Sequence, residues 1–421
     1  MPIYGREKVL LEELDQKQME HSGTDSIVSG RNTAELIAQS MIANTKYHYK
    51  KTDIKYSGFL NPAMLSYSTQ DGLNYRFRLS FKTHLLNSKS LTVSTNAGYA
   101  FKYRDLVADI SATLLYNSWR LGSLSLSAGK GNRAFSSLFL QELQDSLLSK
   151  GLRFEDVFVD YYKDYYWRVF NSIEVANGFQ VGTGIDYHIR QANKRENAEH
   201  VVIFKAPGKN QLLDIRRYFV PTLRLSWTPG QYYRREGHEK IYVRSYYPTF
   251  KAEYAHCFNG ILGSNSEYSR FEFDVNQRID VGLLQSIRYH AGVGGYSHQQ
   301  TEYFADFTYF ARYKMPETWE DGIGGVFNLL PYSIYNSSTS YAQLHLMYET
   351  PFFIFTLFPQ VSRGVLSERV YLSQLYTPSL LSYSEVGYGI GNRFVNVAIF
   401  GSFHKLHYLQ FGAKLVFLIS Q

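Results

Sequence analysis

Few residues in this chain of 421 are spaced in a way that would support covalent chemistry. Ser297 and His298, followed by Gln299, are the only candidates worth naming for a hydrolytic set of a serine, a histidine and a polar third group. They are neighbours in sequence, and on a strand their side chains point to opposite faces, so they cannot easily form one dyad. We therefore predict that the chain is not an enzyme.

Binding motifs are equally scarce. A single cysteine, Cys257, excludes an internal disulfide framework and any cysteine-based zinc or iron–sulfur site. No HExxH metal motif, Walker A loop, nucleophile elbow or EF-hand loop occurs. Gly387, Gly389 and Gly391 are spaced G-x-G-x-G, but they fall inside a predicted strand and no helix follows. This spacing indicates strand curvature or a close packing contact. We predict no cofactor and no metal.

The composition differs from that of an ordinary soluble protein. The chain has 36 Tyr, 29 Phe and 4 Trp, which together make up 16% of its residues. Lys and Arg number 44 against 37 Asp and Glu, and the resulting net charge of +7 is too dilute to indicate nucleic acid. The mean hydropathy is −0.28, and no apolar run approaches the roughly 18 residues of a membrane helix. The spacing of the apolar residues must therefore indicate the fold.

Apolar residues recur at every second position. Between residues 73 and 82 the odd positions are Leu, Tyr or Phe, and the even positions are Asn, Arg, Ser or Lys. Long alternating segments also cover 91–103, 166–175, 285–294 and 406–420. Soluble strands typically have about 5 to 6 residues, whereas a membrane-crossing strand needs about 9 to 11. The lengths favour an outer-membrane barrel, with aromatic girdles at the interfaces, over a soluble β domain with a core of aromatic residues.

The alternation predicts an all-β, transmembrane antiparallel β-barrel of about 16 strands. The predicted strands are 54–67, 72–84, 89–103, 105–117, 121–130, 162–176, 179–191, 215–234, 240–257, 267–279, 284–297, 338–348, 366–376, 381–390, 393–402 and 406–420. The three longest connections, 131–161, 192–214 and 298–337, follow odd-numbered strands, as expected of external loops. The connection 349–365 departs from this rule. Its apolar stretch 351–359 predicts further β structure or a piece packed against the barrel.

The domain organisation follows from this strand pattern. Residues 53–421 are predicted to form the barrel, and residues 1–52 a periplasmic lead-in. Asn32 with Glu35 indicates a helix start there, and a disordered terminus is the alternative. No apolar signal segment follows Met1, so we expect an export signal that lies upstream or has been removed.

Charged residues on the polar side of the strands cannot lie in lipid, where each Arg or Lys near the midplane would cost about 2 to 4 kcal/mol. The residues predicted to face the lumen are Arg76, Arg78, Lys82, Lys102, Arg224, Lys251, Glu253, Glu272, Asp274, Arg278, Arg288, Glu385 and Lys414. The residues predicted to face lipid are Phe77, Phe81, Phe273, Phe411 and Phe417. The charges form a polar conduit, a lattice that binds a plug, or structural ion pairs that solvate the lumen.

Several strand-end and turn patterns carry a family resemblance. They are 61–62 with 71–73, 164–166 with 177–178, 221–224 with 229–231, 247–250 with 260–263, and 385–392. From about residue 45 onward the chain resembles a Bacteroidota outer-membrane family in which a carboxypeptidase-regulatory-like domain and a periplasmic region precede a C-terminal barrel. That barrel is similar to the surface-antigen and two-partner transporter barrels of the barrel-assembly superfamily. The chain lacks the Arg-Gly-Phe type loop motif of the assembly barrels in 298–337.

The resemblance implies sixteen strands and a role in outer-membrane biogenesis, protein translocation or lipid handling. The implied partners are outer-membrane lipid and other outer-membrane proteins or lipoproteins, and no nucleic acid. In the superfamily, substrate strands can pair at a lateral seam between the first and last strands, here 54–67 and 406–420. The alternatives are a passive channel or nutrient-uptake pore, and a structural barrel that binds another outer-membrane component.

Overall fold

The computed structural model describes part of the chain, and the described residues form almost entirely β-strands and the turns between them. They are 44–68, 72–85, 89–101, 104–134, 157–159, 161–192, 202–204, 215–237, 239–243, 245–297, 319, 321–330, 340–351, 353, 366–378, 381–392 and 394–417. In order, the strands are β1 (Thr45–Tyr49), β2 (Thr52–Tyr56), β3 (Leu65–Ser68), β4 (Gly72–His84), β5 (Ser90–Ala100), β6 (Asp105–Asn117), β7 (Gly122–Ala134), β8 (Val157–Val159), β9 (Tyr161–Ala176), β10 (Phe179–Ala192), β11 (Val202–Phe204), β12 (Ile215–Trp227), β13 (Tyr233–Glu236), β14 (Glu239–Tyr242), β15 (Thr249–Cys257), β16 (Tyr268–Asp280), β17 (Ser286–Ser297), β18 (Ser340–Thr350), β19 (Ser367–Tyr376), β20 (Tyr383–Gly391), β21 (Val395–His404) and β22 (His407–Phe417). Two 3₁₀ turns cover Pro62–Met64 and Ile261–Gly263. None of the helical structure in these ranges is long and apolar enough to span a bilayer.

The main sheet follows chain order with antiparallel pairing throughout. β2 and β3 pair with the same edge of β4, as the registers Ile54↔Phe81 and Leu65↔Tyr75 show, so together they form one interrupted first strand. The sheet has 18 strands, and sixteen remain when β2 and β3 are counted as one and β1 is set aside. The predicted antiparallel barrel of about 16 strands is therefore confirmed.

The boundaries of two predicted strands differ from the structure. The strand predicted over 215–234 ends at Trp227, and the one predicted over 240–257 begins at Thr249. Gly230 adopts a φ of 57°, a left-handed conformation that favours glycine and turns the chain out of the sheet. The residues between the two strands form the separate hairpin β13–β14. Pro229 and Gly230 interrupt the alternation after Trp227, so the strand ends before the turn.

The predicted N-terminal lead-in falls largely outside the described residues. The helix start at Asn32 and Glu35 is among the residues that are not described. Residues 45–49, at the end of the lead-in, form β1, which pairs antiparallel with β2. In the connection 349–365, residues 349–351 and 353 are described, so most of its apolar stretch also lies outside the described residues.

The strand registers divide the charged and aromatic residues between two faces. Directly opposite residues of a ladder share a face, and residues two apart along a strand share it too. One face carries Arg76, Arg78, Lys82, Arg224, Lys251, Glu253, Glu272, Asp274, Arg278, Arg288, Glu385 and Lys414, and we call it the polar face. The opposite, apolar face carries Phe77, Phe81, Phe273, Phe411 and Phe417. Lys102 lies outside the described residues. That the polar face lines a lumen and the apolar face meets lipid stays a prediction.

Candidate functional site

A segment from the connection between β17 and β18 lies against the polar face. It consists of Trp319 and residues 321–330, and we call it the docked segment. Its side chains at Trp319, Ile323 and Phe327 are buried, as are those of Val326 and Leu330. The segment belongs to the predicted external loop 298–337, so part of that loop folds back onto the barrel wall.

Apolar contacts hold one half of the docked segment. Trp319 and Ile323 pack in a buried cluster with Met347, Tyr371, Ala398 and Phe400 of β18, β19 and β21. The three glycines of the G-x-G-x-G pattern lie on this face of β20, and a Cβ on Gly387 would come within 2.3 Å of Phe400 Cε1. The glycine thus makes room for the aromatic ring, which is a close packing contact of the kind that the spacing predicts.

Glu385 holds the other half of the docked segment. Its carboxylate is 1% exposed. It accepts backbone N–H bonds from Asn328 and Leu329, each at 2.7 Å, and the hydroxyl hydrogen bond of Tyr383 at 2.8 Å. Hydrogen bonds to an ionised acceptor are about twice as strong as neutral ones. Glu385 is therefore a buried polar anchor for this segment on β20.

A second anchor joins the segment to the last strands. The Tyr371 hydroxyl donates to Asp321 Oδ2 at 2.7 Å, and Asn396 Nδ2 donates to the Asp321 carbonyl at 2.9 Å. On β22, Lys414 Nζ donates to Asn328 Oδ1 at 3.0 Å, and Gln410 donates to the Leu329 carbonyl. The docked segment therefore bridges β19, β20, β21 and β22 on their polar face.

Away from the docked segment, the polar face carries a lattice of ion pairs around a groove of about 550 Å³. Glu253 accepts from Arg224 Nε at 2.6 Å and also contacts Arg270. Asp274 lies 2.9 Å from His290 Nε2. Arg224 and Glu253, both in the predicted lumen set, thus form a direct ion pair. Glu272 and Lys251 of the same set line the same groove.

The other members of the predicted lumen set are spread over the sheet. Arg288 lies 3.4 Å from Glu349, and Arg278 lies 3.3 Å from Asp280. Arg76, Arg78 and Lys82 are exposed on β4, beside the interrupted first strand. Glu385 and Lys414 contact the docked segment.

The edge of the sheet at β22 forms the second part of the site. The ladders of the described residues pair β22 with β21, β1 with β2, and both β2 and β3 with β4, and none of them joins β22 to the first strands. Phe411 and Phe417 are 61% and 63% exposed on the apolar face of β22. Within the described part of the chain, the first and last strands are therefore not joined to each other by a ladder.

Of the hydrolytic candidates, Ser297 is the one that the structure describes. Ser297 is the last residue of β17 and is exposed, while His298 and Gln299 lie outside the described residues. In the described ranges no group of three or more His, Cys, Asp or Glu side chains is placed to hold a metal ion.

The hairpin β13–β14 is anchored by a buried ion pair that sequence reasoning missed. Lys240 Nζ lies 2.6 Å from both carboxylate oxygens of Glu174, and the Tyr242 hydroxyl donates to Glu174 at 2.6 Å. The backbone N–H of Gly178 adds a further donor at 2.9 Å. The one sequence signal for the hairpin is Gly237, a glycine between the two short strands, which adopts a φ of 56° in the turn.

Tyr242 should make the folded protein sensitive to alkaline pH. Burial, followed by its hydrogen bond to Glu174, raises the pKa of Tyr242 to about 12 from 10.0. Because the folded state favours the protonated phenol, this contribution to stability is complete below pH 10 and is lost as the pH rises toward 12. We expect unfolding titrations to show this loss. Tyr242→Phe should remove it, and an unchanged alkaline profile in that variant would contradict the assignment.

Comparisons with known proteins place this architecture in a family. Residues 40–390 match the model of a C-terminal domain that defines a family of unknown function (DUF5686). No curated protein matches the sequence.

Solved structures with similarity include BamA from Haemophilus ducreyi lacking POTRA domains 1–3, at 10% identity and a TM-score of 0.46, covering 91% of this chain and 77% of that one. CdiB from Acinetobacter baumannii matches at 7% identity and a TM-score of 0.38, covering 84% of this chain and 56% of that one. OccK10 (OpdN) from Pseudomonas aeruginosa matches at 9% identity and a TM-score of 0.27, covering 78% of this chain and 86% of that one. Since the family model covers most of the chain, the protein belongs to the DUF5686 family of unknown function, through that family's C-terminal domain.

Proposed function

We propose that this protein is a non-enzymatic outer-membrane β-barrel that handles other polypeptides at the seam between its first and last strands. Its role would be in outer-membrane biogenesis, protein secretion or protein insertion. The observation that carries the proposal is the edge of β22, which pairs with β21 on one side and, in the described residues, with no strand on the other.

The separation of residues by face supports a membrane location. Large aromatic side chains such as Phe271, Phe411 and Phe417 are exposed on the apolar face, where they suit hydrocarbon. The polar face would then line a wet lumen, with the docked segment inside it. The expected surroundings are outer-membrane lipid and other outer-membrane proteins or lipoproteins. In the family that the sequence resembles, periplasmic domains of the carboxypeptidase-regulatory-like type would precede this barrel.

The physics of a strand edge in lipid supplies the driving force. Backbone N–H and C=O groups that lack partners in hydrocarbon cost several kcal/mol each. An incoming extended segment can pair with such an edge by β-augmentation, in which main-chain hydrogen bonds give affinity. A seam between β22 and the first strand therefore favours temporary pairing with another strand.

The seam predicts a specific crosslinking result. In a Cys257→Ser background, Leu65→Cys on β3 combined in turn with Leu409→Cys, Phe411→Cys or Ala413→Cys on β22 should give at least one variant that forms an intramolecular crosslink with a short thiol reagent. A Val397→Cys/Leu415→Cys pair serves as the positive control, because these residues are direct partners on β21 and β22. Gel mobility and mass spectrometry would detect the link. Correctly folded barrels that crosslink at the control pair but never across the seam would remove the model.

A passive pore is the second candidate function, and the polar groove of about 550 Å³ beside Arg224 and Glu253 favours it. It requires an open path past the docked segment. A large, stable conductance of the purified protein in planar bilayers would support the pore over the seam.

A further inference from the structure

The strand β1 occupies part of the seam. It pairs antiparallel with the free edge of β2, from Thr45↔Tyr56 to Tyr49↔Thr52. This is the edge on which a neighbour of the first strand must lie when the barrel closes or accepts another strand. β1 therefore holds the position of a partner strand over the length of β2, while β3 continues the same edge further along.

β1 resembles a barrel strand but is weakly placed. It has five residues, and Tyr47 and Tyr49 are 57% and 56% exposed. His48 Nδ1 lies 2.5 Å from Asp53, which fastens one end of the ladder. Lys46 lies directly opposite Lys55, and like charges at opposed positions destabilise a strand pair. A short edge strand with an unfavourable charge pair is a good candidate for exchange with a competing strand.

A basic cavity lies beside this ladder on the polar face. It has a volume of about 400 Å³ and is lined by Lys46, Lys55 and Arg78 together with uncharged residues. None of the described residues lining it is acidic. Further along β4, Lys82 lies directly opposite Asp53, and Arg76 lines a neighbouring cavity with Asp109, so the excess of positive charge is confined to the cavity beside Lys46 and Lys55. The charge here contrasts with the balanced ion pairs around Glu253 on the other side of the barrel.

We propose that β1 is a placeholder strand that yields to an incoming extended polypeptide segment carrying acidic side chains on the positions that face the polar side. An acidic residue at the position of Lys46 would exchange the repulsion with Lys55 for an attraction and would lie close to Arg78. The main chain of the incomer would take over the hydrogen bonds that β1 makes with β2. This inference rests on the proposed seam function and adds the occupant of the seam and the chemistry of the client.

The test compares two disulfides that share one residue. Ile54 lies opposite Tyr47 on β1 and opposite Phe81 on β4. In the full chain with Cys257→Ser, Tyr47→Cys/Ile54→Cys locks β1 in place when oxidised, whereas Ile54→Cys/Phe81→Cys locks β2 to β4 and leaves the seam edge unchanged. The probe is a fluorescent nine-residue peptide in which glutamate alternates with leucine, and its counterpart carries lysine in place of glutamate.

The proposal makes definite predictions for this pair of peptides. The reduced protein should bind the glutamate peptide about tenfold more tightly than the lysine peptide. Oxidation of the β1 lock should weaken binding about tenfold, reduction should restore it, and the β2–β4 lock should leave it unchanged. Lys46→Glu, which gives β1 an attractive partner at Lys55, should weaken peptide binding about fivefold without any disulfide.

Three outcomes would overturn the proposal. Equal binding of both peptides would contradict the acidic character of the incoming segment. Unchanged binding after oxidation of the β1 lock would contradict the replacement of β1. If the reduced protein binds neither peptide, both parts of the proposal are wrong. The seam itself is tested separately by the crosslinks between β3 and β22. If those crosslinks form while the peptide results fail, the seam function stands and only the role of β1 is wrong.

Discussion

Glu385→Gln should release the docked segment from the barrel wall and open the lumen to ions. The wild-type carboxylate accepts two backbone N–H groups at 2.7 Å and one hydroxyl at 2.8 Å. An amide has one oxygen, and its NH₂ group would face a donor, so at least one buried N–H loses its acceptor. Each such loss costs about 1 to 3 kcal/mol, which changes the population of the released state by about 5- to 150-fold.

Planar bilayer recordings would measure this effect. The wild-type protein should show rare openings, and the variant should show frequent ones with a larger mean current. Glu253→Gln is the matched control, because it removes the same charge from the same face but contacts Arg224 and Arg270 instead of the segment. If Glu385→Gln shows only the rare openings that the wild type and Glu253→Gln show, the docked segment does not control the lumen.

The strand architecture was accessible from the sequence because it is encoded locally. Side chains alternate across a strand with a period of two, so long alternating runs such as 73–82 and 406–420 identify both the strands and their faces. The described ladders then carry the assignment from Phe77 on β4 to Phe411 on β22, with three register shifts near strand ends. Counting these runs was enough to obtain sixteen strands.

The docked segment could not be obtained in the same way, because its position depends on contacts between residues far apart in the chain. Asn328 and Glu385 are separated by 57 residues, and no periodicity connects them. A weak signal existed in the loop itself, where Val326, Phe327 and Leu330 are apolar although an exposed loop is expected to be polar. These are buried side chains of the segment.

The proposed seam depends on both local and long-range information. Alternation and the family resemblance predict its two strands, whereas the lead-in predicted over 1–52 includes β1. Only the pairing of Tyr47 with Ile54 shows that β1 lies on the edge of the first strand. A five-residue strand is too short for a reliable periodicity, and its Lys-Tyr-His-Tyr sequence is predominantly polar.

Lys240→Ala should destabilise the hairpin β13–β14 by about 3 to 5 kcal/mol, the cost of leaving a buried charge without its partner. Glu174 and Lys240 are 4% and 7% exposed, so solvent cannot replace the lost ammonium group. Tyr242 and Gly178 would remain as donors to Glu174, but they carry no compensating charge. Hydrogen–deuterium exchange over 233–242 should therefore accelerate strongly, and urea should unfold the barrel at lower concentration.

Removing both charges together tests whether the pair, and not the lysine stem, accounts for this loss. Glu174→Gln/Lys240→Met keeps an acceptor for Gly178 and an apolar chain of similar length in the hairpin. Because neutral replacements of a buried ion pair are often tolerated or stabilising, the double variant should recover most of the stability that Lys240→Ala loses. Arg234→Ala/Glu236→Ala, which removes an exposed pair from the same hairpin, should have little effect. Equal destabilisation by Lys240→Ala and by Arg234→Ala/Glu236→Ala would show that the hairpin is not held through Glu174.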